Sequence, residues 1–195
     1  MPSQYVAPSI FGRFFQSVCV ILFCVNVPLV YGQIFVFTGN SLSNDKVGVY
    51  GLDGSTINAN PISGELPVEV LAVSGSNLYL AGSFVGAGGV DLYSTSGLLV
   101  TGLVRGLHAP NGLAISGPNL FVSDVNTGII GEYNAMTGAV VNASLISDPA
   151  GPTYLAISEN DLFVVNPNAN TIGKYDTDGT FINTSFITGL DNPQQ

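Results

Sequence analysis

Apolar and polar positions along this chain keep returning to one arrangement. From Pro110 it reads PNGLAISGPNLFVSDVNTGIIGEY, ending at Tyr133, and from Pro152 the same frame reads PTYLAISENDLFVVNPNANTIGKY, ending at Tyr175. An earlier version, PVEVLAVSGSNLYLAGSFVGAGGVDLY, runs from Pro67 to Tyr93 with three residues added in a loop. Leu78, Leu120 and Leu162 fall at matching places, 42 residues apart each time. The best-formed unit has four apolar runs, at 112–116, 119–125, 129–134 and 140–146, and the next has them at 154–158, 161–166, 171–176 and 181–187. Short runs rich in β-branched and aromatic residues, bounded by Gly, Asn, Asp and Pro, predict strands. Breaks of two residues at Gly117-Pro118 and Glu159-Asn160 leave room only for hairpins, so consecutive runs pair antiparallel.

Four antiparallel strands recurring at this spacing predict an all-β chain built as a β-propeller, whose blades typically repeat every 40 to 50 residues or so. Solenoid repeats are shorter, about 20 to 29 residues in the commonest types, and are not four-stranded. The units begin near residues 33, 77, 119 and 161, which makes 33–195 a partial propeller of about three and a half blades. The stretch from Gln33 aligns with the second strand of a unit, and the end near Gln195 falls where a first strand would begin. Propeller rings are commonly closed by one blade built from both chain ends. This phase therefore predicts an incomplete ring, with the 195 residues as the N-terminal part of a longer protein and assembly of several copies as the disfavoured alternative.

Residues 1–32 follow another pattern. Arg13 precedes the run VCVILFCVNVPLV, Val18 to Val30, which leads to Tyr31 and Gly32. A cation, an apolar stretch and a small residue predict a secretory signal peptide cleaved after Gly32, and hence an extracellular or cell-surface protein. The run is short for a membrane span, which needs about 20 apolar residues, and Asn26 and Pro28 interrupt it. Both cysteines, Cys19 and Cys24, fall inside it, so disulfides are not expected after cleavage. Beyond Gly32 only Lys46, Arg105 and Lys174 face 13 acidic residues. Three scattered cations cannot neutralise a run of phosphates, which argues against nucleic acid or an anionic membrane as partner.

The pattern Pro110-Asn111-Gly112-Leu113-Ala114, then Asn119-Leu120-Phe121-Val122-Ser123-Asp124, then Ile130-Gly131-Glu132-Tyr133, resembles the NHL and SMP-30/gluconolactonase-like propellers, secreted bacterial repeat proteins among them. The resemblance covers Gln33 to Gln195. It implies a propeller fold and leaves function open, because that group holds lactonases, lyases, esterases and pure binding scaffolds.

Two residues carry candidate chemistry. His108 is the single histidine, in the loop entering an inner strand, where a lyase of this kind would need a general base; a merely solvated loop histidine is the plainer reading. Asn111 matches the Asn-Gly-Leu that, by the resemblance, supplies one oxygen ligand to a divalent metal such as calcium. Its equivalents Val68, Thr153 and Gln194 are not carboxylates, and an asparagine capping its own turn is the alternative. Asp124 and Asn166, 42 residues apart, are expected to brace turns toward the third strand. Tyr50, Tyr93, Tyr133 and Tyr175 recur once per unit, and blade packing explains them more simply than a carbohydrate platform. Asn142 and Asn183 sit in the N-x-Ser pattern at equivalent places. No cofactor is expected. The reading that follows is a secreted, non-enzymatic scaffold for an extracellular ligand or protein, with a metal-dependent SMP-30-like hydrolase using Asn111 as the alternative.

Overall fold

The computed structural model describes residues 17–23, 33–39, 45–64, 68–84, 87–148 and 150–193. It contains four sheets of four strands each. The first holds β1 (Ser17–Phe23), β2 (Gln33–Gly39), β3 (Asp45–Gly51) and β4 (Thr56–Gly64). The second holds β5 (Val68–Ser74), β6 (Asn77–Phe84), β7 (Ala87–Ser94) and β8 (Leu99–Leu107). The third holds β9 (Pro110–Ser116), β10 (Asn119–Asp124), β11 (Ile129–Asn134) and β12 (Val140–Ser147). The fourth holds β13 (Leu155–Ser158), β14 (Asp161–Asn166), β15 (Thr171–Asp176) and β16 (Phe181–Ile187). Strands follow chain order in every sheet and neighbours run antiparallel. Among the described residues the one helical turn is a 3-10 turn at Pro167–Ala169, and no helix is long and apolar enough to cross a membrane.

β1 falls inside the segment expected to be a leader, and it pairs with β2 along its whole length, from Ser17 opposite Gly39 to Phe23 opposite Gln33. Among the described residues from Gln33 onward there are three complete sheets and three strands of another, in keeping with the expected three and a half blades. Gly32, Cys24 and the adjoining peptide lie outside the described residues, so the cleavage point stays an expectation.

The sheets stand in a row through their first strands, β1 beside β5, β5 beside β9 and β9 beside β13. Among the described residues no comparable contact joins the fourth sheet back to the first, so the row is open. Side chains alternate across each strand, so every second strand feeds two interfaces. Leu78 and Leu80 meet Phe35, Phe37 and Val47 of the first sheet, while Tyr79 and Ala81 meet Leu120 and Val122 of the third. Phe121 in turn meets Leu162, Val164 and Tyr175 of the fourth. Burying an aromatic or leucine side chain contributes roughly 1.5 to 3 kcal/mol, so these shared layers are the main source of cohesion.

Repeat geometry explains the glycines that matter. Gly97, Gly138 and Gly179 close the third hairpin of successive sheets with positive φ, and a Cβ on any of them would strike Pro61, Leu103 or Leu145 on the outer strand of the sheet before. The added residues near Gly86 were expected to form a loop. Instead Ala87, Gly88 and Gly89 are the start of β7 and pair with Phe84, Ser83 and Gly82, lengthening the β6–β7 hairpin. An extended hairpin satisfies backbone groups that a loop would leave to water.

Candidate functional site

The loops that enter the first strands and the turns after the second strands lie at one end of the sheets, and the polar residues singled out above gather there. β10 ends at Asp124 in a register shift opposite Pro110. From that position the carboxylate accepts hydrogen bonds from two amides of the loop before β9, His108 N at 2.7 Å and Ala109 N at 3.1 Å. Asp124 was expected to brace the turn toward the third strand. That turn closes without the side chain, because the Gly128 amide and Thr127 Oγ1 donate to the Asp124 main-chain oxygen.

His108 exposes 68% of its side chain, and its Nδ1 lies 3.6 Å from Oδ2 of the largely buried Asp124. The imidazole thus stands at the surface with a carboxylate beside one ring nitrogen.

Asn111 is the second residue of β9 and is half-buried, so it sits in a strand rather than a turn. The Gly112 beside it has a packing reason: a Cβ there would overlap the Thr153 carbonyl oxygen of the next sheet, to which Ser123 Oγ also donates. Thr153 is the repeat equivalent of Asn111, and its amide and hydroxyl both donate to the Val165 carbonyl, at 2.9 and 3.2 Å. Thr153 is thereby a structural bridge, Val68 is apolar, and Gln194 lies outside the described residues. Among the described residues no group of three or more His, Cys, Asp or Glu side chains is arranged to hold a metal ion.

A second polar cluster escaped the sequence reading because its centre, Asp148, has no counterpart in the other repeats. Buried Asn166, the equivalent of Asp124, donates through Nδ2 to Asp148 Oδ2 at 2.9 Å, and the Tyr175 hydroxyl donates to the same oxygen at 3.1 Å. Asp148 Oδ1 accepts from the Ala150 amide at 3.0 Å. Burial, then the adjacent Asp148 charge, pushes the Tyr175 phenol well above its ordinary range, so it stays protonated as a donor. Asn166 Oδ1 is buried without a partner among the described residues.

The recurrent tyrosines serve packing. Tyr93, Tyr133 and Tyr175 are 7%, 7% and 5% exposed and belong to the layers between sheets. Tyr50, Tyr133 and Tyr175 fold their rings over the glycine two residues earlier, Gly48, Gly131 and Gly173. In the second sheet Asp91 stands in that place and pairs with Arg105. Asn142 and Asn183 lie exposed on outer strands, each accepting a hydrogen bond from the amide two residues on, at 3.1 and 3.0 Å. This local turn gives the Asn-x-Ser pattern a backbone role.

No protein-family model matches the chain, and no curated protein sequence does. Solved structures are similar in fold. A chain of a nidogen/laminin complex superposes with TM-score 0.61 at 15% identity, covering 78% of this chain and 59% of that one. Virginiamycin B lyase from Staphylococcus aureus, as a catalytically inactive variant with quinupristin, gives 0.58 at 15%, covering 90% and 62%. Regucalcin from Agrobacterium tumefaciens, described as a calcium-binding protein, gives 0.59 at 16%, covering 76% and 55%. The chain thus spans between 55% and 62% of the length of these three. With four-stranded antiparallel sheets set in a row and these likenesses in fold, the chain is a β-propeller protein.

Proposed function

We propose that this chain is a secreted propeller module whose loop end presents a binding surface to an extracellular ligand, without chemistry of its own. The observation that carries this reading is how its carboxylates are used. Both oxygens of Asp124 hold loop amides, and Asp148 is held by Asn166, Tyr175 and the Ala150 amide. A carboxylate committed in this way stiffens the loop that carries it and has few lone pairs left for a cation. The leader-like residues 1–32 and the scarcity of cations beyond them suit an extracellular setting.

A second reading, a hydrolase or lyase, draws on the His108–Asp124 pair and on the likeness in fold to a lyase and to a calcium-binding protein. In the divalent-metal version of that reading Asn111 is one ligand. Calorimetric titration of the full chain with calcium or zinc, run beside a lactone-hydrolysis assay, separates the two. The scaffold reading expects neither saturable metal binding nor turnover. Metal binding that Asn111→Ala removes, or turnover that His108→Ala removes, would replace it with the enzyme.

A further inference from the structure

Of all the asparagines in the chain, only Asn142 and Asn183 have a serine or threonine two places on, and no proline stands between or just after. Both lie on outer strands at the same place in the repeat, Asn142 opposite Glu132 and Asn183 opposite Lys174. The outer strand carries extra residues there. Ala143 to Leu145 stand opposite the single Gly131, and Thr184 to Phe186 opposite Gly173. A bulge of this kind takes its extra residues out of the ladder and bends the strand. Residues 142–144 and 183–185 are all exposed.

In these two triplets the asparagine has a structural task and the hydroxyl has none. Each asparagine Oδ1 accepts a hydrogen bond from the amide two residues on, Ser144 N or Ser185 N, which closes the bulge. The first sheet makes the same bulge at Asn58, with Ala59 to Pro61 opposite Gly48, and the residue two places on is Asn60. The bulge therefore needs no hydroxyl. Among the described residues neither Ser144 Oγ nor Ser185 Oγ has a hydrogen-bond partner, and neither serine is packed against anything that buries it.

We infer that Asn142 and Asn183 are acceptor sites for N-linked glycans. Asparagine, any residue but proline, then serine or threonine is the pattern that the glycosyl transfer reads, and it requires an exposed place. In the transfer, asparagine Nδ2 bonds to C1 of the first sugar of a lipid-pyrophosphate-linked oligosaccharide. The bond from C1 to the pyrophosphate breaks, the lipid pyrophosphate leaves with the electron pair, and Nδ2 gives up one proton to the transferase. Because Oδ1 is the atom that holds the serine amide, Nδ2 is the one left to carry the sugar, and the turn survives the modification. The outer strands also suit a bulky hydrophilic chain. They lie outside the layers between sheets, and Val140, Val141, Phe181 and Ile182 stand exposed beside the two asparagines. A glycan there keeps an apolar strand edge from pairing with another chain. Only exported chains meet the transferase, so both sites rest on the secreted reading.

Expression of the full chain in a secreting eukaryotic cell tests this, in one form with its own N-terminus and in another with a general export leader fused ahead of Met1. Peptide N-glycosidase is expected to lower the mass of the exported chain in two mobility steps. Asn142→Gln and Asn183→Gln are each expected to lose one step, and the double variant both. Ser144→Ala is expected to lose the Asn142 step and Ser144→Thr to keep it, while neither changes the melting temperature of chain made without glycans. Glycosidase-sensitive mass in the fused-leader form alone supports the two sites and refutes export by residues 1–32, so the two failures are told apart. No such mass in the fused-leader form overturns the inference, as does a shift that the double variant retains.

Discussion

Glu159 holds the hairpin position that Gly75 and Gly117 hold in the two preceding sheets, with φ of 57° against 58° and 55°. A side chain in this left-handed region costs about 1 to 2 kcal/mol that glycine avoids. Glu159→Gly is therefore expected to raise stability by about 1 kcal/mol, seen as a higher urea midpoint at unchanged slope. Asp124 gives the opposite case. Asp124→Ala leaves the His108 and Ala109 amides without their acceptor, and a loss of about 2 kcal/mol is expected in the same measurement. Glu132 supplies a pH signature. Burial raises its carboxyl above the ordinary range, so the folded chain holds that proton more tightly than the unfolded chain does. Its charged form accordingly costs stability as pH rises from about 4 through the folded value, and below that both states are protonated and the cost vanishes. Glu132→Gln is expected to melt higher than the parent at neutral pH, with the gap closing in acid.

Between elements, equal places in the repeat carry unequal weight. Phe121 is enclosed by the fourth sheet, and Phe121→Ala is expected to cost about 3 to 5 kcal/mol. Phe163 has Phe186 beside it at 5.7 Å between ring centres and the Lys174 ammonium 5.8 Å from its ring, but no covering sheet among the described residues. Phe163→Ala is expected to cost about 1 kcal/mol, since half the transfer gain is absent before the change is made. Chemical unfolding of both variants at low protein concentration checks the difference. The strands themselves were legible in the sequence, because alternation and turn residues are local signals: the runs 161–166, 171–176 and 181–187 coincide with β14, β15 and β16. The β6–β7 extension was not, since Gly-rich residues read as loop until pairing with Gly82 and Ser83 supplies their hydrogen bonds. Asp148 was invisible for a related reason. Its partners Asn166 and Tyr175 lie 18 and 27 residues away, and only the folded sheet brings them together.

Over the whole molecule, the 42-residue period determined an all-β chain of like sheets, because hydrophobic alternation and hairpin spacing act within a few residues of one another. The leader-like composition of 1–32 was also plain, yet composition gave no sign that Ser17–Phe23 can pair with Gln33–Gly39 as the first strand of a sheet. Which face of each sheet is covered and which carboxylate holds which loop were decided by tertiary structure alone. Burial depends on what stands opposite a residue: Phe121 and Phe163 are the same letter at the same place in the repeat, and only their neighbours differ.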